Sequence, residues 1–300
     1  MRASLLSDSA RVDRVSGPML IPKRPLARLY RGPEPVTPED VNARVWAAGN
    51  FVRQYEGREL RPPEVMLLVR HRPLFERRVL ELGVGAGRVS GYLVDLAQSF
   101  LGIDISPRMV EYCRARYPAG TFEVRDLRHL DSFEAGSFDL VFAGYNLLDV
   151  LDDAERRRTL RELNRILASD GVLAMSTHNR AAIPSIPPPG HIDRARDPLR
   201  TAYRAVVAAL SIYNHRRLAR LERDEERYAI VNDPAHGYRL LHYYIDRDEQ
   251  ERQLSEEDFE LLECLDEDGH VVPAGEPAAS SSELHYLARR LPATGNRSNG

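Results

Sequence analysis

The stretch Val79–Arg88, V-L-E-L-G-V-G-A-G-R, followed by F-L-G-I-D ending at Asp104, decides the fold. The apolar run before the glycines reads as a buried strand and the glycines as a tight turn. The next segment reads as a helix, and F-L-G-I-D as a second strand closing on a carboxylate. Gly83, Gly85 and Gly87 carry no Cβ, so the backbone can turn sharply there and approach a ligand directly. A helix opening near Gly87 and Arg88 would aim unpaired N–H groups and its positive dipole end at an anionic group. Asp104 follows at the ~20-residue distance at which an acid reaches ribose hydroxyls in such units. The spacing is G-x-G-x-G, not the G-x-G-x-x-G that cradles a dinucleotide pyrophosphate.

Further segments follow in a telling order. V-R-D-L carries Asp126 and Leu127, F-D-L-V-F-A-G-Y-N-L-L-D covers Phe138–Asp149, and G-V-L-A-M-S-T-H-N covers Gly171–Asn179. With these, residues 60 to 180 resemble the class I S-adenosylmethionine-dependent methyltransferases. The resemblance implies a Rossmann-like, seven-stranded, mostly parallel sheet with helices on both faces and an antiparallel C-terminal hairpin. It also implies cofactor contacts from Glu81, Gly83, Gly85, Gly87 and Arg88, with Asp104 on the ribose beside Ile105 and Met109. Asp126 and Leu127 would face the adenine, and Tyr145 would lie near the sulfonium. Plainer readings stand beside these: glycine turns occur in many α/β proteins, and an Asp such as Asp126 also serves as a turn or cap residue.

Composition fits an ordinary globular chain: 300 residues, 43% hydrophobic, 29% charged, net charge -3. No basic stripe marks a nucleic-acid binder, and Arg156-Arg157-Arg158 reads as the solvated face of a helix. Cys113 and Cys264 show no disulfide or zinc spacing, and the acids and histidines show no compact ligand motif, so no metal is expected. With no membrane-length apolar run, a cytoplasmic monomer or homodimer is expected.

Along the chain, residues 1–37 read as an extended or disordered arm. Residues 38–182 read as a cofactor-binding core. It opens with a helix capped by Thr37 and running through Val41 to Tyr55, which the resemblance implies to be a lid lined by Trp46, Phe51 and Tyr55; their other reading is amphipathic packing. The proline-rich run Ile183–Gly190 opens a helical cap insertion over 183–239, with a helical stretch from Pro198 to Glu226. Residues 240–292 supply strands completing the core, and 293–300 a disordered tail. A helix over Asp152–Ala168, with Leu160, Leu163, Ile166 and Leu167 as its apolar stripe, covers the sheet.

Ligands in open α/β sheets sit outside the carboxyl ends of the strands, which selects Tyr145, Asn146 and Asp149 after strand four and His178 and Asn179 after strand five. His178 is the expected general base, with Tyr145 and Asn146 as partners, because a hydroxyl or ammonium acceptor must lose a proton. Asn146, Asp149, Asn179, Tyr213, His242 and Tyr244 are expected against the substrate, or as packing of the cap. The loop lacks the [DN]-P-P-[YFW] pattern of nucleic-acid amino-methylating enzymes, so the expected acceptor is a small metabolite, including specialised natural products, methylated on O or N. A non-catalytic cofactor-binding partner and a nicotinamide-dependent oxidoreductase are the other readings.

Overall fold

A computed structural model describes residues 37–48, 52, 59–191 and 198–292. Residues 1–36 of the expected arm (1–37), Phe51, Tyr55 and the tail lie outside the described residues.

Alternation of side chains organises the sheet. In β1 (Arg78–Leu82), Leu80 and Leu82 enter one core layer with Leu160 and Leu163. Val79 enters the opposite layer with Leu67 and Leu93. A strand covered on both faces must be apolar throughout, as the near-continuous run shows. β1 pairs in parallel with β2 (Ser99–Asp104) and with β4 (Phe138–Ala143). β2 pairs with β3 (Thr121–Val124), and β4 with β5 (Leu167–Asn179). Strand order reverses at β1, so a crevice opens between the carboxyl ends of β1 and β4. β10 (Glu283–Arg290) runs antiparallel to both β5 and β9 (Phe259–Leu265), the expected terminal hairpin.

Helices α2 (Pro62–Arg70), α3 (Arg72–Phe75) and α4 (Ser90–Leu96) contribute Leu67, Phe75 and Leu93 to one layer, and α6 (Asp153–Ile166) covers the other. α5 (Pro107–Arg116) follows β2. The Asp152 side chain accepts from Glu155 N at 2.9 Å and caps α6. At the amino end, Thr37 Oγ1 accepts from Asp40 N in the first turn of α1 (Pro38–Ala48).

The cap departs in part from the expected helical insertion. The long helix α7 (Pro198–Leu218) gives way to a 3-10 turn that ends at Leu221, short of Glu226. Two strands then follow, β6 (Arg223–Asp224) and β7 (Ala229–Val231), and β7 pairs with β8 (His242–Ile245). Among the described residues the sheet therefore has ten strands: the seven expected and three added by this flap. β8 does not extend the terminal hairpin. Register places Ala143 of β4 beside Met175, and beyond that point the same flank of β5 is taken by β8, with Tyr244 opposite His178. Glu283 of β10 pairs with His178 on the other flank. His178 thus has a paired strand on each flank. β4 makes room by leaving the sheet through Tyr145 and Asn146, both left-handed (φ 58 and 56), followed by α8 (Arg247–Glu256) only after the flap is complete. No helix among the described residues is long and apolar enough to cross a membrane.

Arg156 corrects the reading of the triple arginine. It is fully buried, because positions 156, 159, 160 and 163 form one stripe of α6 facing the sheet. Its guanidinium donates to Asp149 Oδ1 (2.7 Å), Gln253 Oε1 (3.0 Å) and Gln250 Oε1 (2.8 Å), and lies over the Tyr243 ring. Removing one member of a buried pair strands the other charge. Arg156→Met should lower unfolding free energy by ~3–5 kcal/mol in urea titration, and Arg156→Met with Asp149→Leu should lose clearly less.

Candidate active site

A cavity of about 400 Å³ occupies the crevice. On its cofactor side the glycine turn takes left-handed φ at Gly85 (54°) and Gly87 (74°). A Cβ at Gly87 would fall 2.5 Å from Tyr117 Cε2, so that glycine serves helix packing. A Cβ at Gly85 would meet nothing nearer than Gly83 O at 4.0 Å, so bare backbone faces the cavity there. Gly85 N and Ser106 N donate to the two oxygens of Asp104 at 2.9 and 2.8 Å. Burial pushes the Asp104 carboxyl up and these two N–H groups pull it down, leaving it above its ordinary value. Each oxygen retains acceptor capacity for a ligand hydroxyl. Ile105, Met109 and Leu127 supply apolar wall.

Two expected contacts are diverted. Asp126 lines the cavity, but both of its oxygens accept from the Arg128 guanidinium, which outweighs burial and holds the carboxyl below its usual range. Arg88 is bound to buried Glu64, with Nη2 to Oε1 at 2.6 Å, while its guanidinium also lies over the Tyr145 ring. Glu81 sits at the floor, where burial pushes its carboxyl up to about 8 despite a 2.6 Å hydrogen bond from Ser90 Oγ.

The other side of the cavity gathers Tyr145, Asn146, His178, His236, His242 and Trp46, the last edge-on to His236. Asn146 Nδ2 donates to Glu283 Oε2 at 2.9 Å, while its Oδ1 is buried without a partner. An orphan buried acceptor is an invitation to a ligand donor. His178 Nδ1 and backbone N both lie 2.7 Å from Asp149 Oδ2, and Thr177 Oγ1 donates to Oδ1. Burial raises the Asp149 carboxyl, but Arg156, His178 and Thr177 outweigh it and keep it ionised.

Gly87, Asp149, Asn179, Tyr213 and Tyr244 do not line this cavity. Asp149 lies behind His178. Asn179 Nδ2 donates to the carbonyls of Pro277, Ala278 and Ser281, pinning that loop. Tyr213 is on an exposed face of α7, accepting from Arg217. Tyr244 is buried, donating to Asp233 Oδ2 and stacking on His178. Sequence reasoning assigned no role to Glu39, whose buried Oε2 has no partner and which lines the cavity. Its only signal was a place in the first turn of α1.

The sequence profile of the methyltransferase domain family matches residues 79–171, the segment that builds the cofactor side. The chain carries a class I S-adenosylmethionine-dependent methyltransferase domain. Among curated relatives, an uncharacterized methyltransferase, YcgJ, of Bacillus subtilis is 28% identical over 137 residues, covering 41% of this chain and 49% of the relative. A probable S-adenosylmethionine-dependent methyltransferase of Mycolicibacterium smegmatis is 33% identical over 104 residues, 35% of this chain and 39% of that protein. The matches thus span half or less of those relatives. The fold is also that of the Burkholderia thailandensis 1,6-didemethyltoxoflavin-N1-methyltransferase, solved with S-adenosylhomocysteine. The TM-score is 0.52 at 14% identity, over 87% of this chain and 94% of that one. The methyltransferase cofactor fits the observed cradle: open backbone at Gly85, spare acceptors on Asp104, and an unpaired Asn146 Oδ1.

A carboxyl raised on folding binds extra protons in the folded state, so its effect on stability is unfavourable as pH rises. Glu81 should make the ligand-free protein progressively less stable between its unfolded value of ~4.3 and about 8. Glu81→Gln should flatten that decline in urea titrations across this pH range.

Proposed function

We propose that this chain is a cytoplasmic methyltransferase that moves the methyl group of S-adenosylmethionine to an oxygen or nitrogen of a small metabolite, a specialised natural product among the candidates. The observation that carries the reading is the His178–Asp149 pair at the wall of the cavity, opposite the glycine turn. In this reading Asp104 accepts from the ribose hydroxyls, and the Gly85 backbone and Glu81 floor receive the methionine portion. The cofactor supplies an electrophilic methyl on a cationic sulfur, and the acceptor's lone pair takes it as the carbon–sulfur bond breaks with its electrons left on sulfur. Asp149 holds the Nδ1 proton of His178, leaving Nε2 to take a proton from the acceptor. Tyr145, Trp46 and the apolar residues Leu147, Val150 and Leu151 orient the acceptor and exclude water.

Calorimetric titration with S-adenosylhomocysteine should show Asp104→Ala binding at least about tenfold more weakly, since hydrogen bonds to a charged acceptor contribute ~1.5–3 kcal/mol each. His178→Ala should bind it as the wild type does. With methyl-labelled cofactor and a source-cell extract, label should enter one small molecule and fall by ~10²–10⁴-fold in rate with His178→Ala. Label on protein or RNA would overturn the small-molecule acceptor, and normal turnover by His178→Ala would overturn the base.

A further inference from the structure

The base uses one imidazole, yet a second is stacked on it in the cavity wall. His242 is buried, its Nδ1 lies 2.7 Å from Asp233 Oδ2, and Tyr244 Oη donates to the same oxygen at 2.9 Å. Its ring stacks on His178 with centroids 4.9 Å apart and planes 29° apart. Each imidazole thus has its own carboxylate on Nδ1, Asp149 for one and Asp233 for the other. Among the described residues neither Nε2 has a hydrogen-bond partner, and both rings line the cavity. The charged and titratable groups around the pair are Asp149 with Arg156 behind it, Asp233 and Tyr244, with His236 lining the same cavity.

We propose that His242 is a second catalytic group, a cationic donor that holds the acceptor's reacting oxygen as an oxyanion, and that the acceptor is therefore a hydroxyl compound of phenol or enol type and not an amine. The inference rests on the methyltransferase reading above. The acceptor O–H bond breaks toward Nε2 of His178, which gains the proton. The electron pair stays on oxygen, facing the N–H of His242. Burial disfavours a charged His242, but Asp233 outweighs it and moves the ring above its ordinary value. A fixed cation beside the nucleophile favours one that is negative before attack and opposes a neutral amine, which becomes positive during attack.

The same atoms could be read as a cation site, because His178, Asp233 and His242 offer ligand atoms within 4.8 Å of one another. Asp233 is already committed: Oδ2 accepts from His242 and Tyr244, and Oδ1 from Ala235 N at 2.9 Å. Two imidazole nitrogens remain, fewer than the three protein ligands usual at a catalytic zinc.

The test uses the full chain loaded with S-adenosylhomocysteine and two coloured probes of nearly equal shape, 4-nitrophenol and 4-nitroaniline. Nitrophenol should bind with the absorption of its phenolate at a pH where it is neutral in free solution. His242→Gln and Asp233→Asn should abolish that ionisation and weaken binding about tenfold or more, leaving S-adenosylhomocysteine affinity unchanged, and nitroaniline should bind more weakly than nitrophenol. Nitrophenol bound in its neutral form, equal binding of nitroaniline, or indifference to His242→Gln would overturn the proposal. A cobalt(II) absorption band lost in His178→Ala and His242→Gln would replace it with a metal site. If neither probe binds, NMR titration of labelled His242 decides, and a neutral ring at pH 7 overturns the proposal. Failure of S-adenosylhomocysteine to bind the wild type would instead fall on the methyltransferase reading.

Discussion

The buried contact between Arg156 and Asp149 is the constraint on which the site depends. Asp149 is enclosed with four hydrogen bonds, from Arg156, Thr177 and the backbone and ring of His178. A bare carboxylate there would be prohibitively costly, so the guanidinium, itself satisfied by Gln250, Gln253 and Thr177, is what allows an ionised group at that depth. The pair joins the loop after β4, the first turns of α6 and the tip of β5. An ionised Asp149 in turn fixes which ring nitrogen of His178 carries the proton.

A second network braces Tyr145 and Asn146. Glu283 of β10 receives Arg61, Asn146 Nδ2 and His285, while Glu64 of α2 receives Arg88 from the glycine turn. Burial holds His285 down to about 4, so it stays neutral beside Glu283. Between the arginines lies the Tyr145 ring, whose residue has a left-handed backbone that bulky side chains seldom adopt. The guanidinium contacts and the Asn146 anchor keep that turn in place and present Tyr145 and Asn146 to the cavity.

Features set by local pattern were legible in the chain. The apolar runs of β1, β4 and β5 and the Asp152 cap follow from spacing or propensity, and the β9–β10 hairpin was implied by the family resemblance. What escaped depends on contacts between distant segments. Arg156 looked like one of three solvent arginines, although its place on the stripe with Thr159, Leu160 and Leu163 was the available clue. β6 consists of an arginine and an aspartate, a pair with no strand character of its own, and becomes a strand only by pairing with β7. Asp126 carries the expected residue type, but Arg128 two positions on occupies it. Tyr213 has suitable chemistry on the wrong face of its helix, since α7 alternates weakly and its outward side could not be told from sequence.

The pairing of β8 along the flank of β5 vacated by β4 makes the cavity's roof mechanically part of the sheet. In a hinged lid, a substrate's fit and the enzyme's chemistry are separable, because the lid can shift while the base stays put. Here the strand that bears His242 and the strand end that bears His178 share backbone hydrogen bonds, so lifting one disturbs the other. The wall that bears both rings is consequently a stiff mould, standing before any ligand arrives, and under the proposed function discrimination among acceptors falls to shape matching against a preorganised surface.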